Sequence, residues 1–435
     1  MNETLGRRRK RPSLTVWILL GLVGGVAVGL LQNLFLPADW NALSIRYFHE
    51  PVGKLFLNGI RLVVVPLVLV SLTLGTAAIG DVRRLGRIGG KTLAIYMTTT
   101  LLAVSVGFGL AFAVQPGSGV AMPTDASFKP AAPPNIVDVL VGFVPVNPFA
   151  ALVEGNMLQI IFIAMLAGLA VVWTGEAAGP VLGWLKAADL VVQRMVRLVM
   201  FMAPIGVFGL MARVVIGQGT AVLVPLVKYI AAVFGALAIH ALVVYPAYLA
   251  VLGRINPLRF YRSIHPAMLM AFSTSSSSAT LPISMEVARE RLGAREDVYS
   301  FTLPLGATIN MDGTAIMQGV ATVFVANVYG IALGPTEFLQ VVLMATLASI
   351  GTAGVPGAGV IMLSMVLAQV GLPVEGIAIV LGVDRIVDMA RTVLNVCGDL
   401  MTTAVVARSE GALDPAAPER AVAVQVGTGT DGNPQ

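Results

Sequence analysis

A chain of 435 residues, 57% hydrophobic and only 12% charged, cannot be an ordinary soluble domain, and its apolar runs are long enough to cross a bilayer. Cut into segments of about 20 residues, they amount to roughly eight to ten membrane elements. The formal net charge of +5 sits mostly in short loops, where it reports orientation and not a nucleic-acid surface. A single cysteine, Cys397, excludes an intrachain disulfide and a cysteine metal cluster, and reads as a small packing residue.

Residues 1–12 carry Arg7-Arg8-Arg9-Lys10-Arg11, a basic tail held in the cytoplasm by the positive-inside rule. The next apolar run is too long for a signal peptide, so 13–90 supply two spans. Arg83, Arg84, Arg87 and Lys91 return the chain to the inside. Residues 91–115 cross outward, and the hydroxyls of Thr98, Thr99 and Thr100 have an ordinary use in bonding the carbonyl one turn back. An external loop rich in Pro, Gly and Ala and two more spans fill 116–216, and 221–253 form another. His240 lies alone in that last run and is expected to be satisfied locally.

The second half changes character. Two arginine clusters, at 254–262 and 289–295, bracket a short apolar segment holding Ser273-Thr274-Ser275-Ser276-Ser277-Ser278. With both clusters inside, residues 257–291 must enter and leave by one face, as a re-entrant hairpin with a polar tip. The span 298–329 is broken at Asn310-Met311-Asp312-Gly313-Thr314, where unwound carbonyls and hard oxygen ligands suit Na⁺. Gly and Pro crowd Ser349–Gly359, so 336–371 form a second hairpin, entering from outside. Residues 374–407 make a last helix, and 408–435 a polar tail expected to be disordered in the cytoplasm. The fold class is an all-α polytopic membrane protein with both termini inside. Two hairpins dipping from opposite faces suggest an inverted repeat around a midplane site.

On the last helix, Asp384, Asp388, Arg391, Asn395 and Asp399 recur at spacings of four, three, four and four, which puts them on one face. Each charge at mid-membrane costs at least ~2.5 kcal/mol. Mutually neutralised pairs such as Asp388 with Arg391 could lock helices together. Asp399 has no Lys or Arg within a turn, and a cation from outside the chain is its simplest partner.

The serine-rich tip, Asn310-Met311-Asp312-Gly313-Thr314, Gly351-Thr352-Ala353-Gly354-Val355-Pro356-Gly357 and the Asp388…Asp399 stripe together resemble the glutamate/aspartate transporter family, the dicarboxylate/amino acid:cation symporters. The resemblance runs from the first span to about Arg408. It implies a homotrimer in the plasma membrane, with eight spans and two hairpins per chain. A scaffold of spans one, two, four and five would hold a transport domain that moves as an elevator. Asp388 would receive the substrate ammonium and Arg391 its side-chain carboxylate. Ser275, Ser277, Thr314, Val355, Gly359, Thr392 and Asn395 would complete the site. One sodium site would draw on Gly306, Asn310, Asn395 and Asp399, a second on Thr308, Ser349, Ile350 and Thr352, and a third on Thr100, Asn310 and Asp312. The implied partners are an acidic amino acid and Na⁺ or H⁺, with no resident cofactor and no enzymatic step.

Three departures stand out. Sodium-coupled prokaryotic members carry an Arg at the position of Ser275 and neuronal members one at Met389. The family's third sodium site uses an aromatic and a hydroxyl where this chain has Met97 and Leu101. Gln318 stands where proton-coupled neuronal members have a glutamate. A C4-dicarboxylate or proton-coupled glutamate symporter of the same fold is the alternative, and Asp388 discriminates, because a carboxylate there repels a dianion without an ammonium. A serine hydrolase is a different class, and no Gly-x-Ser-x-Gly elbow is present.

Overall fold

In a bilayer each backbone N–H and C=O must find its partner within its own segment, so the apolar runs wind into helices. The computed structural model describes residues 14–80, 87–119, 141–142, 144–349 and 357–414. The Gly-rich tip at 350–356, most of the external loop, Arg83, Arg84 and the ends of both tails lie outside these. The helices are α1 (Leu14–Phe35), α2 (Ala38–Ser44), α3 (Glu50–Gly80), α4 (Arg87–Val114), α5 (Pro148–Glu154), α6 (Met157–Thr174), α7 (Gly179–Phe201) and α8 (Ala203–Gln218). After α9 (Leu223–Ile239) come α10 (Pro257–Thr274), α11 (Ser277–Glu290), α12 (Glu296–Ile309), α13 (Asp312–Val328), α14 (Pro335–Ser349), α15 (Ala358–Gln369) and α16 (Ile377–Ser409). Among the described residues there is no strand, only an isolated bridge between Ala294 and Leu413. Among the described residues, five stretches are long and apolar enough to cross a membrane: Val16–Phe35, Ala38–Ala77, Arg87–Val114, Gln159–Phe201 and Leu223–Gly253.

The serine run folds as a two-residue reversal. Asn256 caps α10, its Oδ1 accepting from Leu258 N–H at 2.9 Å with Pro257 in the first turn. Ser275 ends α10 in the left-handed region at φ 50°, and Ser276 caps α11 by accepting from Ala279 N–H at 3.2 Å. Helices α10 and α11 then pack against each other and both against α16. The second of the two spans expected within 116–216 is instead two helices meeting at Met202, because Pro204 has no N–H to give and suits a first turn.

Helix α13 is the centre of this half, buried from Asp312 through Ala326 between α4, α9, α14 and α16. Its first turn follows the break at Asn310, which takes an extended conformation. The far end of α16 is clasped to the start of α4. Glu410 bonds Arg87 Nη2 at 2.7 Å and Lys91 Nζ at 2.6 Å, and Arg295 N–H reaches Ala412 O at 2.9 Å. The hydrogen bonds from Arg87 and then Lys91 hold the Glu410 carboxyl below its ordinary value of 4.5. Its contribution is therefore present above that value and lost as pH falls through the lowered one. Glu410→Gln is expected to lower the melting temperature at neutral pH, with the gap to the parent closing in acid. A gap unchanged across that range contradicts the clasp.

Candidate functional site

The five polar residues of the α16 stripe all point inward, each between 2% and 5% exposed. Arg391 stands between two carboxylates. Its Nε donates to Asp388 Oδ1 at 2.9 Å, its Nη2 lies 2.8 Å from the same oxygen, and its Nη1 donates to Asp384 Oδ1 at 3.1 Å. Arg385 Nη1 approaches Asp388 Oδ2 at 3.3 Å. The sequence pointed to Asp388 as the acid in reach of Arg391. Asp384, two turns back on the same face, is its second partner and holds the fork from the other side.

Two glycines let other elements come this close. A β-carbon on Gly359 would stand 2.7 Å from Arg391 Cζ, so a side chain there would push the guanidinium from its place between the two acids. One on Gly313 would stand 2.7 Å from Arg391 Cα, and its bare N–H donates to Asn395 Oδ1 at 2.8 Å. The break in the middle of the α12–α13 span is thus seated on α16.

Two turns further along, Asp399 has a different environment. Its Oδ1 accepts from Asn310 Nδ2 at 2.9 Å, and no basic side chain pairs with it among the described residues. Asn310 Nδ2 also reaches Asn395 O at 3.3 Å, which leaves Asn310 Oδ1 buried with no donor. The Gly306 carbonyl lies here too, accepting from Asn310 N–H at 2.8 Å. A carboxylate without a countercharge beside an orphaned amide oxygen and two carbonyls is a set of hard ligands, the donor chemistry of Na⁺. These are the four residues expected for a first sodium site, and the fold brings them together.

Asp312 is already engaged. Thr100 Oγ1 donates to its Oδ1 at 2.7 Å and Tyr245 OH to its Oδ2 at 2.9 Å. Thr100 therefore does not bond back to its own helix, as Thr98 and Thr99 do. Asn310 turns its side chain to Asp399, and Leu101 is 42% exposed. The expectation that His240 is satisfied locally is corrected: its Nε2 lies 3.4 Å from Asp312 Oδ2, and neither ring nitrogen has an aligned hydrogen-bond partner. Sequence reasoning did not find Tyr245, since an aromatic in an apolar run gives no sign of what it meets 67 residues away.

For the expected second sodium site, Ser349 Oγ donates to Ile309 O at 3.0 Å, tying the end of α14 to the break. Thr308 Oγ1 is spent on Leu305 O at 2.9 Å, while Ile350 and Thr352, with Val355 of the substrate set, lie outside the described residues. Ser275, Ser277, Thr314 and Thr392 are buried; Thr392 Oγ1 bonds Asp388 O at 2.7 Å, and the Ser275 hydroxyl has no partner. A cavity of about 560 Å³ adjoins Asp384, Asp388, Ser276 and Gly357.

An all-helical membrane protein with a buried ion-paired arginine and, among the described residues, a carboxylate without a basic partner holds the kind of intramembrane charges that carriers of small charged solutes use. Over residues 14–409 the chain matches the sodium:dicarboxylate symporter family, and it belongs to that family. It is 35% identical to the proton/sodium-glutamate symport protein of Bacillus subtilis (strain 168), covering 95% of this chain and 96% of that one. It is 34% identical to the proton/glutamate-aspartate symporter of Escherichia coli (strain K12), over 92% and 94% of the two chains. To the C4-dicarboxylate transport protein of Rhizobium johnstonii it is 32% identical, over 96% and 94%. The protein is a symporter and not an enzyme.

Proposed function

We propose that this symporter carries aspartate or glutamate into a bacterial cell together with Na⁺. One observation carries the reading: α16 holds a guanidinium shared by two acids and, eight residues on, a buried carboxylate that no basic side chain among the described residues neutralises. An acidic amino acid fits the first. Its ammonium would take Arg391's place at Asp388 and its side-chain carboxylate would take Asp388's place at Arg391, so that the cluster stays neutral. Asp384 would keep the fork oriented during the exchange. Ser275, Ser277, Thr314, Thr392, Asn395, Gly359 and Val355 would surround the rest of the substrate. A cation fits the second place, at Asp399, Asn310, Asn395 and Gly306, and a further one would lie by Thr308, Ser349, Ile350 and Thr352. At Asp312 the protein's own donors occupy the carboxylate, so we assign the coupling to Asp399.

In this reading the chain has eight spans and two hairpins, with both termini in the cytoplasm. Helices α1, α3 and α6–α8 form a scaffold that trimerises, and α4, α9 and everything from α10 onward move across the membrane as one body. C4-dicarboxylate transport is the second reading, favoured by the relative of that name, and Asp388 separates the two. Calorimetry on the purified protein in saturating Na⁺ tests the choice. Aspartate or glutamate is expected to bind at least about tenfold more tightly than succinate, the ratio a single missing charge contact gives. Tighter binding of succinate would overturn the assignment of Asp388.

A further inference from the structure

Besides the α16 stripe, the cavity beside Asp388 has a wall that belongs to neither hairpin. It is formed by apolar side chains of α1, α7 and α8 and by one charge, Arg197 of α7. Of the charged side chains that line the cavity, Asp384 and Asp388 are engaged by Arg391, and Arg385 lies on Asp388. The Arg197 guanidinium is exposed and has no hydrogen-bond or ion-pair partner among the described residues. With Arg391 counted, the group carries three positive and two negative charges, a net charge of one plus, where aspartate and glutamate carry one minus.

We infer that Arg197 is a specificity residue that draws the acidic substrate through this cavity to and from Arg391. The inference rests on the acidic-substrate reading above. Three features of the cavity support it. Its wall on that side is otherwise apolar, so the one guanidinium there sets the sign of the field that an arriving anion meets. Its volume of about 560 Å³ exceeds what an amino acid fills, leaving room for a solvated substrate to pass. Ser276 and Gly357, the turn of the α10–α11 pair and the residue before α15, line it together with Asp388, which bonds Arg391, so a substrate that leaves Arg391 on this side meets Arg197. Because α7 supplies no residue to the bound position, Arg197 acts on arrival and departure. It therefore changes apparent affinity and the response to salt more than turnover.

Proteoliposomes reconstituted with the parent, Arg197→Gln and Arg197→Lys test this through initial rates of aspartate influx and efflux at low and high ionic strength. For Arg197→Gln, KM is expected to rise about fivefold at low salt on at least one face of the membrane, with kcat within twofold and the salt dependence of KM largely lost. Arg197→Lys is expected to restore both. A KM for Arg197→Gln within twofold of the parent on both faces, with the salt dependence intact, would sink the inference. So would a Lys variant that behaves like Gln, since that marks a packing role. If the parent itself carries no dicarboxylic substrate, it is the underlying reading that fails, and the inference falls with it.

Discussion

Replacing Arg391 with cysteine is expected to abolish binding of aspartate and glutamate while small neutral amino acids such as serine, alanine or cysteine still bind. The guanidinium is buried, stays charged at any accessible pH, and is shared between Asp388 and Asp384. A substrate that takes Asp388 with its ammonium leaves one edge of the fork to be filled, and only a second carboxylate fills it. Removing one member of such a buried charge pair typically costs ~3–5 kcal/mol, at least about a hundredfold in affinity. The substitution also leaves Asp384 without this partner and so weakens the fold. The readout is therefore the ratio of aspartate to serine affinity within the same purified variant, measured by calorimetry in saturating Na⁺. If Arg391→Cys binds aspartate within threefold of the parent, Arg391 is a structural charge and the acidic substrate goes with it.

Asp399→Asn is expected to weaken severely the sodium binding that drives uptake. The carboxylate lies among Asn310, Asn395 and Gly306 with no basic partner among the described residues, and an amide cannot offset the charge of a desolvated cation. Leaving a buried ion without its counterion costs several kcal/mol, so the sodium concentration for half-maximal uptake should rise by more than about tenfold. The protein itself should tolerate the change, because Asp399 accepts a single hydrogen bond, from Asn310, and an amide oxygen can accept it too. Aspartate uptake with the same sodium response in parent and variant would move the coupling elsewhere, to Asp312 or to a proton.

Much of this site was legible because its parts lie on helices with strong periodicity or strong breaks. The spacing of Asp384 through Asp399 fixed a face, and that face is the buried one. Asn310 to Gly313 marked an interruption, since an Asn and a Gly in an apolar run weaken a helix there, and the break falls at Asn310. The serine run marked a chain reversal only because arginine clusters flank it on both sides. What stayed hidden depends on contacts far apart in sequence. Tyr245 and His240 meet Asp312 from a helix whose apolar run looked uniform, and Tyr96 packs a hydroxyl onto Thr302 O at 2.9 Å in the same way. The second acid on Arg391 was hidden for another reason. One-turn neighbours are the natural expectation, yet a long side chain between two turns can bridge both. The departures at Met97 and Leu101 gained meaning only with the fold, which shows Asp312 engaged by Thr100 and Tyr245.

The most direct test of the account is radiolabelled aspartate uptake into proteoliposomes of the purified protein, with sodium and proton gradients imposed separately and the membrane potential clamped. An inward sodium gradient is expected to drive accumulation above equilibrium, and a proton gradient alone is expected not to. Accumulation driven by the proton gradient in the absence of sodium, or no accumulation of aspartate and glutamate under either gradient, would contradict it.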